Sequence, residues 1–113
     1  MNAVGIDIVE IDRIRSALSN TFIDKVLSKE ERAVFDNYKN NRQIEYLAGR
    51  WACKEAIIKC LSDYEKPQMT DLTIINNENG KPIIKYKDYD IELSISHEVH
   101  YAIAIAYLNG KEK

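Results

Sequence analysis

Along this chain the apolar positions first alternate, then fall at helical spacing, then alternate again. Residues 3 to 9 (AVGIDIV) are apolar and largely β-branched around Gly5 and Asp7. That composition predicts a short strand, with the glycine marking a place where a neighbour or a ligand comes close. From Glu10 the spacing changes: Ile11, Ile14 and Leu18 stand three and four apart, on one helical face, until Ser19-Asn20 interrupts it. Phe22, Val26 and Leu27 outline another apolar face. Ser28 followed by Glu31 has the form of a capping box that starts a new helix. Residues 36 to 43 (DNYKNNRQ) are polar and asparagine-rich and read as a solvated loop. The strongest helix pattern spans residues 43 to 61, free of proline, with Leu47, Trp51, Ala52, Ile58 and Leu61 able to line one side.

Four runs of strand composition follow: LTIIN, PIIKY, IELSIS and YAIAIAYL, of which at least three should pair antiparallel. Asn79-Gly80 lies between the first two and suits a tight hairpin turn, with Lys81-Pro82 opening the next strand.

At 113 residues the chain fits one domain, 1–113, whose core would gain from association. A net charge of −2 from 16 basic and 18 acidic side chains gives no broad positive field, which argues against nucleic acid as a partner. Asp7, Glu10 and Asp12 interrupt any signal-peptide or membrane-span pattern, so a cytoplasmic protein is expected. Cys53 and Cys60 lie seven apart in the long helix, about 10 Å at 1.5 Å per residue. They are too distant for a disulfide within the helix, and they read as reduced core residues.

The candidate chemistry is modest residue by residue. Asp7 is either an outward-facing carboxylate at a strand end or a carboxylate that meets a cation, since burial without a partner is costly. Glu55 and Lys59 on the long helix could be a plain surface pair. With Arg50 and Lys54, however, they put three cations and one carboxylate on adjacent lanes, a face suited to a phosphate-rich ligand with a metal. Ser94 and Ser96 should face away from Ile91, Leu93 and Ile95, and His97 follows in the turn. A hydroxyl and an imidazole there can hold a phosphate, or can simply be surface residues. HEVH lacks zincin spacing, and no Walker loop, GxGxxG, CxxC or GxSxG motif occurs.

Taken together, GIDIVEIDRI, LAGRWACKEAIIKCL, NGKP and SISHEVHYAIAIA occur in the order found in the holo-acyl-carrier-protein synthase family, which this chain resembles over nearly its whole length. The resemblance implies an α+β fold, a small antiparallel sheet packed against a long helix, assembling as a homotrimer with active sites between neighbouring subunits. It implies transfer of the 4'-phosphopantetheine group of coenzyme A to a serine of an apo acyl carrier protein of fatty-acid, polyketide or peptide synthesis. Asp7 and Glu55 would hold Mg²⁺, with Glu55 and Lys59 catalytic. Arg50, Lys54, Gly80, Lys81, Pro82, Ser96 and His97 would contact coenzyme A, the last five from the adjacent subunit, and Arg13 would meet the carrier. The chain departs from the family where a glycine-rich turn often follows the long helix and this sequence has LSDYEKPQM. It departs again where Ser19-Asn20-Thr21 replaces basic residues. A diverged, non-catalytic binder of coenzyme A or carrier is the competing reading, and a plain oligomeric structural protein a third.

Overall fold

The axis of the molecule is α4, Asn41–Cys60, a 20-residue helix buried on almost every side. Residues 2–111 are described in the computed structural model. Before α4 come β1 (Ala3–Glu10), α1 (Ile11–Ser16), α2 (Asn20–Val26) and α3 (Lys29–Asn37). After it come a 3₁₀ turn (Met69–Asp71), β2 (Ile74–Asn76), β3 (Pro82–Ile84), β4 (Tyr89–His97) and β5 (Tyr101–Lys111). A helix apolar around most of its circumference must be covered from several directions. One flank of α4 meets the sheet through Ala52, Ala56, Ile57 and Cys60, packed with Leu93, Ala104, Ala106 and Leu108. The other flank meets the helices through Ile44, Leu47 and Ala48, packed with Ile11, Ile14, Val26 and Phe35.

The main sheet is antiparallel in the order β1-β5-β4, and β2 and β3 form a separate antiparallel pair. On β5 the small residues Ala102, Ala104 and Ala106 point inward and are fully buried, or nearly so. Tyr101, Ile103, Ile105 and Tyr107 point outward and are exposed. Small inward side chains let α4 lie close to the sheet. On β1, Val4, Ile6 and Ile8 are also exposed, opposite Tyr107, Ile105 and Ile103. The outer sheet face therefore carries a contiguous apolar stripe of the kind that marks an interaction surface.

Gly5 explains how closely β1 and α4 approach, because a Cβ there would stand 1.9 Å from the Ala56 carbonyl oxygen. The close neighbour read from sequence is thus the backbone of α4. The capping box also forms: Ser28 Oγ accepts from Glu31 N, and Glu31 Oε1 accepts from Ser28 N at 3.0 Å. The segment 36–43, read as a solvated loop, is mostly helical: α3 runs to Asn37 and α4 begins at Asn41. Asn40 at φ 55 makes the bend short. Side chains hold it, with Gln43 Nε2 donating to the Phe35 carbonyl at 3.0 Å and the Arg42 guanidinium 4.7 Å above the Tyr38 ring. The β2–β3 connection is longer than a two-residue turn. Asn77 organises it, its Oδ1 accepting from the backbone N–H of Asn79 and Lys81, with Gly80 at φ 82.

Candidate active site

Helical and strand periodicity bring Asp7 and Glu55 together. On β1, Gly5 and Asp7 share the face turned toward α4, and Glu55 precedes Ala56, the residue whose carbonyl Gly5 touches. Both carboxylates line a cavity of about 340 Å³ with Arg13, Phe22 and Trp51. Lys59, one turn beyond Glu55, reaches back to the strand: its Nζ donates to the Ile6 carbonyl at 2.9 Å and to Asp7 Oδ1 at 3.3 Å. The ammonium thus pairs with Asp7 rather than making a plain helix-surface pair with Glu55. Asp7 is the carboxylate that meets a cation, its side chain 17% exposed. Burial, and then the like charge of Asp7, push the Glu55 carboxyl above its ordinary range, while Lys59 and Lys66 oppose that rise.

Two half-buried carboxylates of like charge form a hard-oxygen donor set. Mg²⁺ takes such ligands, usually one or two carboxylates with water and substrate phosphates completing its shell. Asp7 and Glu55 fit that ion.

A second cavity, of about 220 Å³, gathers Arg50, Gly80, Pro82 and His97 with Tyr38, Arg42, Tyr46 and Asn76. Arg50 is held rigidly: its Nη2 donates to the Ile74 carbonyl at 3.1 Å and to Asn76 Oδ1 at 3.2 Å, and its guanidinium lies 4.6 Å above the Tyr46 ring. Arg42 supplies a second guanidinium at the rim. Sequence reading missed Arg42 and Tyr38 because both fall in the segment taken for a polar loop. Their signal was the helical offset from Tyr38 to Arg42 and Tyr46. The side chain of Lys81 is exposed on the hairpin, its backbone N–H bonded to Asn77. Ser96 stands on the outer sheet face opposite Ile103, outside this cavity.

Lys54 is the correction. The expected row of three cations beside Glu55 does not exist, because the helix divides it between opposite sides. The Lys54 side chain is fully buried, and its ammonium donates to Glu31 Oε1, to the Val26 carbonyl at 2.7 Å and to the Met69 carbonyl at 2.9 Å. All three N–H groups are used, so none is left for a phosphate. Glu31 is held from the opposite side by the Ile74 N–H at 2.8 Å, with Arg50 Nε 4.0 Å away. Burial lowers the Lys54 pKa and Glu31 works against that shift.

Comparison with known proteins places nearly the whole chain in a family. Residues 3–107 match the family model described as the 4'-phosphopantetheinyl transferase superfamily. The chain is 40% identical over 115 residues to the holo-[acyl-carrier-protein] synthase of Oceanobacillus iheyensis, covering 96% of this chain and 97% of that protein. It is 42% identical over 107 residues to the enzyme of the same name from a Geobacillus species, covering 89% and 90%. The crystal structure of a holo-(acyl-carrier-protein) synthase from Bacillus anthracis in complex with CoA (3',5'-ADP) superposes with a TM-score of 0.88 at 33% identity, covering 98% of this chain and 96% of that one. With a family model matched over residues 3–107, relatives at about 40% identity over almost the full length and a superposing fold, this chain belongs to the 4'-phosphopantetheinyl transferase superfamily.

Proposed function

We propose that the protein is a holo-[acyl-carrier-protein] synthase, which transfers 4'-phosphopantetheine from coenzyme A to a serine of an apo acyl carrier protein and releases adenosine 3',5'-bisphosphate. The observation that carries this reading is the shared Asp7–Glu55 cavity with Lys59 bonded across to β1, in a chain whose relatives bear that name.

The carrier serine Oγ forms a bond to the β-phosphorus of coenzyme A, the one bearing pantetheine. The bond from that phosphorus to the bridging oxygen of the pyrophosphate breaks, and the nucleotide leaves with the electron pair. Glu55 takes the serine proton at a carboxylate oxygen. Its carboxylate lines the cavity beside Asp7, where a positioned group can accept that proton. Lys59 stands beside Asp7 with an ammonium that offsets the charge developing on the leaving phosphate. Mg²⁺ held by Asp7 and Glu55 would neutralise pyrophosphate charge when bound. Arg50, Arg42, Gly80, Pro82 and His97 form the wall that receives the nucleotide. Arg13, exposed at the edge of the carboxylate cavity, is placed to meet an acidic carrier.

Within one chain the carboxylate cavity and the Arg50–His97 cavity have no lining residue in common. The apolar stripe on β1 and β5 offers a surface through which copies of the chain would bring one cavity of each type together, and this supports a homotrimer with active sites between subunits. No helix among the described residues is long and apolar enough to cross a membrane. The free, buried Cys53 and Cys60 suit a reducing, cytoplasmic compartment.

Incubating the protein with Mg²⁺, coenzyme A and a panel of apo carriers should add the phosphopantetheine mass to one or more of them, and Glu55→Ala should slow the addition by about a hundredfold or more. Coenzyme A binding without mass gain on any carrier would replace this reading with that of a non-catalytic binder.

A further inference from the structure

Arg50 stands between two cavities. The one assigned above to the nucleotide, about 220 Å³, is closed by Gly80, Pro82 and His97. The other, about 240 Å³, is lined by Glu30, Glu31, Val34 and Ile75. Tyr38, Tyr46 and Asn76 border both, as Arg50 does.

The Arg50 side chain is almost fully buried, and its Nε–H is the single buried side-chain nitrogen or oxygen without a hydrogen-bond partner among the described residues. A buried donor is rarely left unpaired, and here an acceptor is near: Glu31 Oε2 lies 4.0 Å away, beyond hydrogen-bond range. A guanidinium beside a carboxylate ordinarily turns its fork to bond it. Arg50 does not. Its Nη2 is drawn to β2 instead, donating to the Ile74 carbonyl at 3.1 Å and to Asn76 Oδ1 at 3.2 Å. The Tyr46 ring, 4.6 Å from the guanidinium, supports its face without fixing its rotation in plane.

Of the two acceptors, Asn76 is the one a side-chain change can remove. It is exposed at the end of β2, where the Asn77 N–H fixes the backbone by donating to the Lys81 carbonyl at 2.8 Å. Only the carbonyl end of its amide can face a guanidinium, because the NH₂ end would set donor against donor. The Asn76 carbonyl thus offsets the attraction of Glu31, and the unpaired Nε–H is the consequence of that balance.

We propose that Asn76 is a positioning residue for Arg50: its side-chain carbonyl holds the guanidinium toward the nucleotide cavity, and without it the guanidinium turns back to hydrogen-bond Glu31. The inference rests on the transferase reading for its ligand, coenzyme A, and adds a residue that acts on that ligand only through Arg50.

The test uses the full-length protein. In a proton–nitrogen NMR spectrum the Arg50 Nε–H resonance, identified by its loss in Arg50→Lys, should move downfield in Asn76→Ala as that proton gains Glu31 as acceptor. Coenzyme A affinity is read by calorimetry, and KM and kcat by intact carrier mass. Asn76→Ala should weaken binding and raise KM about five- to tenfold, the scale of one hydrogen bond to a charged group, with kcat little changed. In an Arg50→Ala background the same substitution should add nothing, because Asn76 acts through Arg50. An Nε–H resonance that stays in place, an unchanged KM, or additive losses in the double variant would each overturn the proposal. So would an Asn76→Ala effect confined to the melting temperature. Wild-type protein that binds coenzyme A but transfers nothing would remove the transferase reading alone, since affinity and the resonance still decide the role of Asn76. Wild-type protein that does not bind coenzyme A would remove both.

Discussion

Lys54 and Glu55 are adjacent in sequence and belong to different parts of the molecule. Lys54 points into the helical wall, fully buried, with every donor satisfied by Glu31 and two carbonyls. Glu55 points toward β1, half-buried, its carboxylate opposed by the like charge of Asp7. Each side chain is costly in isolation, and the fold handles the two in opposite ways. The lysine is neutralised completely, which rigidifies the wall. The glutamate is left with its electrostatic demand unmet, which is how a binding site holds affinity in reserve for a cation or a proton. A Lys-Glu dipeptide on a helix can thus bury one charge in a structural network and turn the next into a cavity.

That contrast can be broken from either side. Glu55→Ala should reduce phosphopantetheine transfer by about two to four orders of magnitude, the range for loss of a general base, while the melting temperature stays level or rises as the repulsion with Asp7 is relieved. Lys54→Met should do the reverse. It leaves Glu31 buried without its ammonium and should cost about 3–5 kcal/mol of stability, read as a lower urea midpoint, with residual transfer tracking the folded fraction. If Lys54→Met remained fully stable yet bound coenzyme A poorly, the lysine would belong with the glutamate after all. Gly5→Ala tests the contact that aligns the two sides. Overpacking against the Ala56 carbonyl should cost about 1–3 kcal/mol and lower transfer as well, because Asp7 shifts with β1. The smallest effect concerns Glu65. Its carboxyl, held by hydrogen bonds from Lys87, Tyr89 and Tyr86, is depressed from 4.5 to about 2 in the folded chain. The ionised form is therefore favoured by folding, and its stabilisation is present above pH 4.5 and fades as pH falls toward about 2. The melting temperatures of wild type and Glu65→Gln should differ at neutral pH and converge in that acid window.

Several of these features were legible in the sequence because their causes are local. A serine three residues before a glutamate caps α3, and a glycine in a β-branched run marks the place where α4 comes close. Alternation on β4 put Ser94 and Ser96 on the outer face. The burial of Lys54 was not legible, because Glu31 lies 23 residues away and its capping role accounted for it without any distant partner. The division of Arg50 from Glu55 was missed for a related reason: counting cations on neighbouring lanes says nothing about which lane the sheet covers. The short α3–α4 bend was hidden by composition, since polar, asparagine-rich residues also suit a helix end held by the Arg42–Tyr38 stack.

Glu31 has one more consequence. Its carboxylate closes the first turn of α3, holds Lys54 of α4 and receives the N–H of Ile74, whose own carbonyl accepts from Arg50. Fraying of α3, detachment of β2 and loosening of Arg50 therefore share one opening event, and that event strands a buried ammonium. Helix ends on small proteins ordinarily exchange their amide hydrogens through cheap local openings. Here the start of α3 and the Arg50 wall share their bonds through Glu31, so the amides of both should exchange together, through a larger opening than a frayed helix end needs.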